Sequence, residues 1–466
     1  MNTNIFREYD IRGIVGDQLT AETVEVLAHA IGTYLARGGA HRIAVGYDAR
    51  ESSSGFADIL ARGFNALGLD VALLGIVPTP VVYHATYTMD VDGGVMVTGS
   101  HNPPDHNGFK ISLGKYTLFG SQIQEIKDIA LRYDARTAAS GTPGTTTSVD
   151  PLEDYFADLI SKISLGPRKL KAVVDSGNGA AGITAVPIYE KLGIELVELY
   201  TEPDPTFPNH HPDPTVAENL NDVQAAVLRH GADVGIAFDG DGDRIGVVDE
   251  TGRIIWGDEL MILLSRRVLA ERPGATIIAE VKCSQTLFDD IEQHGGTAIM
   301  ERAGHSIIKS RMKETGAVLA GEMSGHIFFA DRYYGFDDAT YVGARLFEIL
   351  SHTDKKLSEL FGGVPETFST PELRVDCPDE IKFQVVADVA KHFTETNRVI
   401  TIDGARIIFE NGWGLVRASN TQAILVLRFE ADSPENLNAI RYEVESFVKI
   451  SVAKHGAAIP PTSARD

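Results

Sequence analysis

Cysteine is nearly absent from this chain: Cys283 and Cys377 are the only two in 466 residues. No disulfide framework is implied, and so few thiols fit a reducing compartment. Long apolar runs are missing as well. None reaches the ~18 residues that a membrane-crossing helix needs. The opening stretch "MNTNIFREYDIRG" carries Arg7, Glu8, Asp10 and Arg12 where a signal peptide would be apolar. The expectation is a cytoplasmic protein that makes no use of a membrane. Positive charge is also scarce, with 42 Lys and Arg against 65 Asp and Glu and a formal net charge of −23. Without a sustained basic stripe, this charge argues against nucleic acid as a partner. The same field repels small phosphates at long range. Any phosphate site in this chain must therefore gather local cations.

What is present is an ordinary globular composition, 43% hydrophobic and 23% charged. The length calls for several domains of ~100–200 residues each. An apolar strand running into a polar loop recurs in pairs. "RIAVGYDAR" (Arg42 to Arg50) is followed by "GVMVTGSH", "KAVVDSGNG" (Lys171 to Gly179) by "DVGIAFDGDGDR", and "TIIAEVKCS" (Thr276 to Ser284) by "AVLAGEMSGH". Helical stretches lie between the members of each pair, which is the pattern of helix-covered parallel or mixed sheets. The fold expected is α/β: three tandem α/β domains with mixed sheets plus a smaller α+β C-terminal domain, around a central cleft. The boundaries expected are 1–147, 148–250, 251–363 and 364–466, with a Gly/Ser/Thr-rich linker from Thr137 to Asp150 as the first seam. In open α/β sheets ligands bind beyond the carboxyl ends of strands, and the polar loops "TGSHNP", "DGDGDR" and "GEMSGH" follow one strand in each of the first three domains.

In "DGDGDR", Asp239, Asp241 and Asp243 alternate, so an extended segment would turn all three carboxylates to one side. Three close carboxylates demand a hard cation, and Mg²⁺ fits because it keeps positions open for phosphate oxygens. An EF-hand is a rival, since Glu250 falls at its twelfth position, but Arg244 replaces the required glycine and both flanks read as strands. A phosphatase with Asp239 as nucleophile is a second rival. In "VMVTGSHNPPDHNGFK" (Val95 to Lys110), Ser100 lacks the G-x-S-x-G elbow of a hydrolase, and its neighbour His101 is too near in sequence to be assumed to face it. A hydroxyl that carries a phosphoryl group, completing the coordination of the metal while Lys110 and Arg244 neutralise charge, explains the neighbours better. "DSGNGAAG" matches a dinucleotide fingerprint through Gly177, Gly179 and Gly182, yet Asp175 would repel a pyrophosphate there, so a tight packing turn is the better reading. Glu322, Ser324 and His326 suit sugar hydroxyls or proton transfer. "RASNT" (Arg417 to Thr421) has the composition of a phosphate cradle. The proline-rich "PDPTFPNHHPDPT", with His210 and His211, reads as a structured loop.

Together "FREYDIRG", "TGSHNPPDHNGFK", "DGDGDR", "GEMSGH" and "RASNT" resemble the α-D-phosphohexomutases, most closely the bacterial phosphomannomutase/phosphoglucomutase group, over nearly the whole chain. The resemblance implies four domains around a cleft and an isomerase that interconverts hexose 1-phosphate and hexose 6-phosphate through a 1,6-bisphosphate. It implies Ser100 as the phosphoserine, with Asp239, Asp241 and Asp243 holding one Mg²⁺ together with that phosphate. Tyr9 and Arg12 would lie beside the reacting centre, and Lys110, Arg12 and His326 would be candidates for proton transfer. Glu322 and Ser324 would grip sugar hydroxyls. Arg417, Ser419, Asn420 and Thr421 would anchor the phosphate not in transit, assisted by Lys282 and His305. Glucose 1,6-bisphosphate would be the activator, hexose phosphates the substrates, and a monomer is expected with an oligomer left open. One departure stands out: Ala303 in "RAGHS" occupies a position where related sequences commonly have threonine. A phosphoglucosamine mutase is the alternative within the family. A dinucleotide-dependent oxidoreductase and a non-catalytic metal or sugar-phosphate binding protein are the alternatives outside it.

Overall fold

Apolar strands and amphipathic helices build four sheets in the computed structural model, which describes residues 1–134, 142–419, 423–456 and 463–464. The first sheet runs Ile11–Ile14, His106–Leu113, Gly93–Val97, Arg42–Tyr47, Asp70–Ile76, Thr146–Ser148, with Tyr116–Thr117 hung on His106–Leu113. Arg42–Tyr47 pairs parallel with both of its neighbours, whereas Gly93–Val97 and His106–Leu113 are antiparallel. The second sheet runs Ile254–Ile255, Ile245–Asp249, Val234–Phe238, Lys171–Asp175, Glu195–Leu199. The segment after Glu250–Gly252 thus returns to this sheet before the chain moves on. The third runs Thr297–Glu301, Thr276–Glu280, Leu319–Gly321, Ile327–Phe329.

The repetition read in the sequence is a repetition of topology. In each of these three sheets four strands occur in the spatial order fourth, third, first, second. The third and fourth are always an antiparallel pair. "TGSHNP", "DGDGDR" and "EMSGH" all occupy the same place, the connection between those two strands. That place borders the point where the strand order reverses, the usual ligand position of open α/β sheets. The fourth sheet differs. It runs Arg398–Ile400, Ala405–Phe409, Gly412–Ala418, Ile424–Ala431, Leu373–Asp376, Ser463–Ala464, with Phe368–Ser369 also pairing Ile424–Ala431, and every pairing is antiparallel. Lys382–Phe393 and Pro434–Lys454 bury Val385, Val389, Val444 and Val448 with Val416, Leu425 and Leu427 of the sheet in one core. This is the α+β unit expected at the C-terminal end.

The helices follow from apolar spacing. Ala21–Arg37 buries Val24, Leu27, Ala28, Ile31 and Leu35, the stripe of an amphipathic helix. It starts at Thr20, whose Oγ1 accepts the Thr23 N–H at 3.2 Å. Its stripe meets Ile43, Val45, Val97 and Phe109 of the first sheet. The described residues divide into two compact units: Met1–Ile278, Ile291–Ala298 and Gly304–Gly362 form the first, and Ala279–Asp290, Ile299–Ala303 and Gly363–Asp466 the second. Among the described residues no helix is long and apolar enough to cross a membrane.

Candidate active site

Strand register sets the first part of the site. Arg12 lies opposite Gly108, and Lys110 lies two residues beyond Gly108 on the same strand. Residues two apart share a face, as do cross-strand partners, so Arg12 and Lys110 emerge on one face with no side chain between them. Where Gly93–Val97 ends, the chain turns sharply and Ser100 takes a left-handed φ of 49°. A non-glycine residue held there stores ~1–3 kcal/mol of strain. Three links hold it: the Ser100 N–H donates to Thr98 Oγ1 at 2.7 Å, Thr98 Oγ1 donates to Asp48 at 2.8 Å, and Ser100 Oγ donates to Asp239 at 2.8 Å. His101 does face Ser100, which its closeness in sequence left open: across the left-handed turn its Nδ1 lies 3.0 Å from Ser100 Oγ.

The aspartates converge, but not on an extended segment. Residues 239–244 form a tight connection between Val234–Phe238 and Ile245–Asp249, made possible by Gly242 at φ 73°. Asp239 Oδ1 turns inward to accept the N–H groups of Asp243 and Arg244, each at 3.1 Å. One ligand oxygen from each of Asp239, Asp241 and Asp243 lies within 4.8 Å of the other two. Asp241 accepts from Thr79 Oγ1 and, at 2.6 Å, from Lys110 Nζ. Asp243 accepts from the same ammonium at 2.5 Å. Burial works against that ammonium, but the two carboxylates outweigh it and hold Lys110 well above its ordinary pKa. Burial and the charges of Asp241 and Asp243 push Asp239 up, while Lys110, against burial, holds Asp241 far down. Among the described residues, Asp241 Oδ1 and Asp243 Oδ1 are buried without a hydrogen-bond donor. An all-oxygen cluster with orphaned carboxylate oxygens fits a hard divalent cation.

Around this cluster stand groups that the sequence singled out and others that it did not. Arg244 donates from Nε to His326 Nε2 at 2.9 Å. His326 Nδ1 lies 3.0 Å from Asp337, and its ring stacks on His305 with centroids 5.4 Å apart. Asp337, fully buried, also accepts from Lys309 at 3.1 Å and lies 3.6 Å from His305. The Tyr9 ring meets His305 edge-on at 6.3 Å. Glu322 accepts the Gly304 N–H at 3.0 Å and the Ser324 hydroxyl at 3.1 Å. Asp48, Arg50, Thr79, Lys309 and Asp337 were missed by sequence reasoning. Arg50 and Asp48 carried one usable signal, their place just after the first strand of the first repeat. The "DSGNGAAG" turn is a packing feature, because a side chain on Gly179 would sit 2.7 Å from the Gly240 carbonyl oxygen. In the proline-rich loop His210 pairs with Asp175 at 3.0 Å and His211 donates to the His101 carbonyl, so both histidines brace loops.

The second unit presents its own cations. Lys282 lies 3.2 Å from Glu372 and 3.4 Å from Glu280. Lys282 first, then Arg374 and Arg417, pull Glu372 down to about 2, so three cations gather on one carboxylate. Arg406 and Arg428 donate to the carbonyls of Val281, Cys283 and Lys282 and thereby fix the backbone that presents Lys282. Arg417 is aimed by Asp403 at 2.7 Å, and the Ser419 carbonyl accepts from Lys382 at 2.6 Å. The same Asp403 accepts the Ala303 N–H at 3.2 Å. Asn420 and Thr421 lie outside the described residues. This cation cluster is what a chain of net charge −23 requires to hold a phosphate.

Comparison with known proteins agrees with this geometry. Family models for the phosphoglucomutase/phosphomannomutase α/β/α domains I, II and III match residues 3–137, 153–252 and 256–368, and the model for the C-terminal domain matches 372–446. The chain is 48% identical to a phosphomannomutase/phosphoglucomutase of Pseudomonas putida over 440 residues, 94% of each chain. It is 45% identical to a phosphoglucomutase of Neisseria meningitidis serogroup A, covering 96% of this chain and 97% of that one. A crystal structure of a phosphoglucomutase/phosphomannomutase family protein from Burkholderia thailandensis superposes with a TM-score of 0.91 at 41% identity, over 99% of this chain and all of the other. With all four domain models matched in order and relatives near half identity over almost the full length, this chain belongs to the phosphoglucomutase/phosphomannomutase family.

Proposed function

We propose that this enzyme interconverts hexose 1-phosphate and hexose 6-phosphate, with mannose or glucose as the hexose, by way of a phosphoserine at Ser100. The observation that carries the reading is Ser100 Oγ, 2.8 Å from one carboxylate of a buried three-aspartate cluster that Lys110 enters from the neighbouring sheet. Asp239, Asp241 and Asp243, with the Ser100 phosphate, would hold Mg²⁺, which when bound neutralises phosphoryl oxygens and stabilises charge in transfer.

In the forward step the bond between Ser100 Oγ and phosphorus breaks as a sugar hydroxyl forms its own bond to that phosphorus. The product is the 1,6-bisphosphate. Of the candidates for proton transfer, Lys110 and Arg12 are cations with no lone pair to offer, so the sugar hydroxyl's proton leaves to His326. The Ser100 oxygen released from phosphorus takes up a proton in exchange. His326 has Asp337 3.0 Å behind its Nδ1 to steady an added positive charge. Arg244 and Lys110 offset the charge on the transferring group. The bisphosphate then turns over, and Ser100 Oγ takes the phosphoryl group from the other end, recovering its phosphate as the sugar hydroxyl recovers a proton. Tyr9, Glu322 and Ser324 position the sugar, with His305 beside them. Lys282, Arg417 and Ser419, with Asn420 and Thr421, anchor the phosphate not in transit. Glucose 1,6-bisphosphate serves as activator by restoring the phosphate on Ser100.

The test is to incubate the purified protein with Mg²⁺ and glucose 1,6-bisphosphate and map phosphate by peptide mass spectrometry. Phosphate on Ser100, lost in Ser100→Ala, is expected. Phosphate on Asp239, or on no residue, overturns the phosphoserine reading. Turnover of glucose 1-phosphate and mannose 1-phosphate side by side then assigns the hexose.

A further inference from the structure

Arg50 lies outside every motif that suggested the function, yet all three of its side-chain nitrogens donate hydrogen bonds. Its side chain is fully buried. A guanidinium has five N–H donors in a rigid plane. Here Nε donates to Asp48 at 3.2 Å. One terminal nitrogen donates to the carbonyls of Pro103 at 2.6 Å and His106 at 3.0 Å. The other donates to Ser100 at 2.7 Å and Asn102 at 2.6 Å. Four backbone carbonyls of the loop that carries Ser100 thus point inward at a single cation. Converging carbonyl dipoles repel one another, and only a central positive charge makes the arrangement favourable.

The surroundings are built for this guanidinium. A side chain on Gly99 would meet its carbon at 2.6 Å, so residue 99 has no room for one. Phe207, from the proline-rich loop, lays its ring 5.3 Å from the guanidinium carbon. Phe207 itself is held at a left-handed φ of 47°. From that same loop His211 donates to the His101 carbonyl. Asp48 closes the circuit, since its Oδ2 accepts from Arg50 Nε and also from the Thr98 hydroxyl that receives the Ser100 N–H.

We propose that Arg50 is a positioning residue for phosphoryl transfer, with Phe207 as its backing: by gathering the carbonyls of Ser100, Asn102, Pro103 and His106 it holds Ser100 in its left-handed conformation with Oγ against Asp239. The inference rests on the phosphoserine reading above. Arg50 is not a catalytic residue, because its donors are spent on the loop backbone. A lysine cannot replace it, since one ammonium offers three donors from a single point. The two carbonyl pairs would lose their common partner, and the loop would relax. Displacement of a reacting atom by about 1 Å costs on the order of 10²-fold in rate.

The experiment compares the full-length enzyme with Arg50→Lys and Phe207→Leu. Each protein is phosphorylated with glucose 1,6-bisphosphate and Mg²⁺, and Ser100 occupancy is counted by mass spectrometry. Transfer to glucose 1-phosphate is then followed in a single turnover and expressed per mole of phosphoserine, so that the misfolded fraction drops out. Arg50→Lys is expected to slow transfer per phosphoserine at least ~100-fold with KM within about threefold. Phe207→Leu, which removes a cation–π contact but keeps an apolar side chain, is expected to slow it about tenfold. Both should raise the share of phosphate lost to water relative to sugar. Transfer per phosphoserine equal to that of the unaltered enzyme in both variants overturns the proposal and leaves Arg50 a folding residue. An unaltered enzyme that never carries phosphate on Ser100 overturns the phosphoserine reading itself, and the proposal with it.

Discussion

Asp338 gives a prediction whose size can be worked from the structure. Its buried carboxylate begins the helix Ala339–Ser351 by accepting the Tyr341 N–H at 2.9 Å, and it accepts the hydroxyls of Tyr155 and Tyr333 at 2.8 Å each. Burial pushes its pKa up to about 6 from an ordinary 3.8, against the pull of those three hydrogen bonds. A folded-state pKa above the unfolded one means the native state favours the protonated acid. The associated stability is fully present below the ordinary value and is lost as pH rises through about 6. From 3.8 to about 6 the loss amounts to about 3 kcal/mol. For a unit of more than three hundred residues that is ~4 °C of Tm.

Asp338→Asn removes the ionisation while its amide oxygen keeps the cap and its amide nitrogen faces two phenols, one of which can turn to accept. Differential scanning calorimetry of both proteins from pH 4 to pH 8 is the assay. The variant's Tm should be equal to or below that of the unaltered protein at pH 4 and should overtake it above pH 6, with a gap of ~2–4 °C by pH 8. A difference that stays constant across this range, or that moves in favour of Asp338 as pH rises, refutes the reasoning.

Two further outcomes follow from packing and charge. Lys110→Met leaves Asp241 and Asp243 without their ammonium, so turnover should fall ~10²–10³-fold and the apo protein should lose ~3–5 kcal/mol. Added Mg²⁺ should raise the variant's Tm more than that of the unaltered protein, and equal shifts would count against the shared-cation reading. Gly343→Ala places a methyl 2.2 Å from the Tyr189 hydroxyl oxygen, which donates to the Thr340 carbonyl at 3.0 Å, and should destabilise by ~1–3 kcal/mol. Adding Tyr189→Phe should recover part of that loss in a thermal melt, whereas no recovery would point to another contact.

Much of this protein is written locally. The alternation of apolar strands with amphipathic helices specifies α/β units whatever surrounds them, because burial of one face is a property of a short stretch. "DGDGDR" carries its chemistry in its composition: three carboxylates within five residues cannot avoid one another, and a cation is the remedy wherever the loop lies. The same holds for Lys110 and Arg12, since a two-residue period sends both to one face once the strands pair. The convergence of the aspartates was legible, but its cause was not. A turn with a left-handed Gly242 brings them together, and alternation in an extended segment does not describe it.

Only the tertiary structure decided the rest. Asp48, Arg50 and Thr79 reach the site from 50 to 162 residues away in sequence, and no local pattern marks them as partners of Ser100 or Asp241. The imidazole of His101 faces Ser100 across a left-handed backbone, in a loop whose carbonyls converge on an arginine fifty positions earlier. Asp337 becomes the common neighbour of Lys309, His305 and His326 only once the helix His305–Thr315 packs against the hairpin that follows it. Sequence determines which groups are available and which face of an element they occupy. The position of a charge relative to a hydroxyl from another strand depends on how sheets twist and loops close, a sum over many weak contacts that no short motif contains.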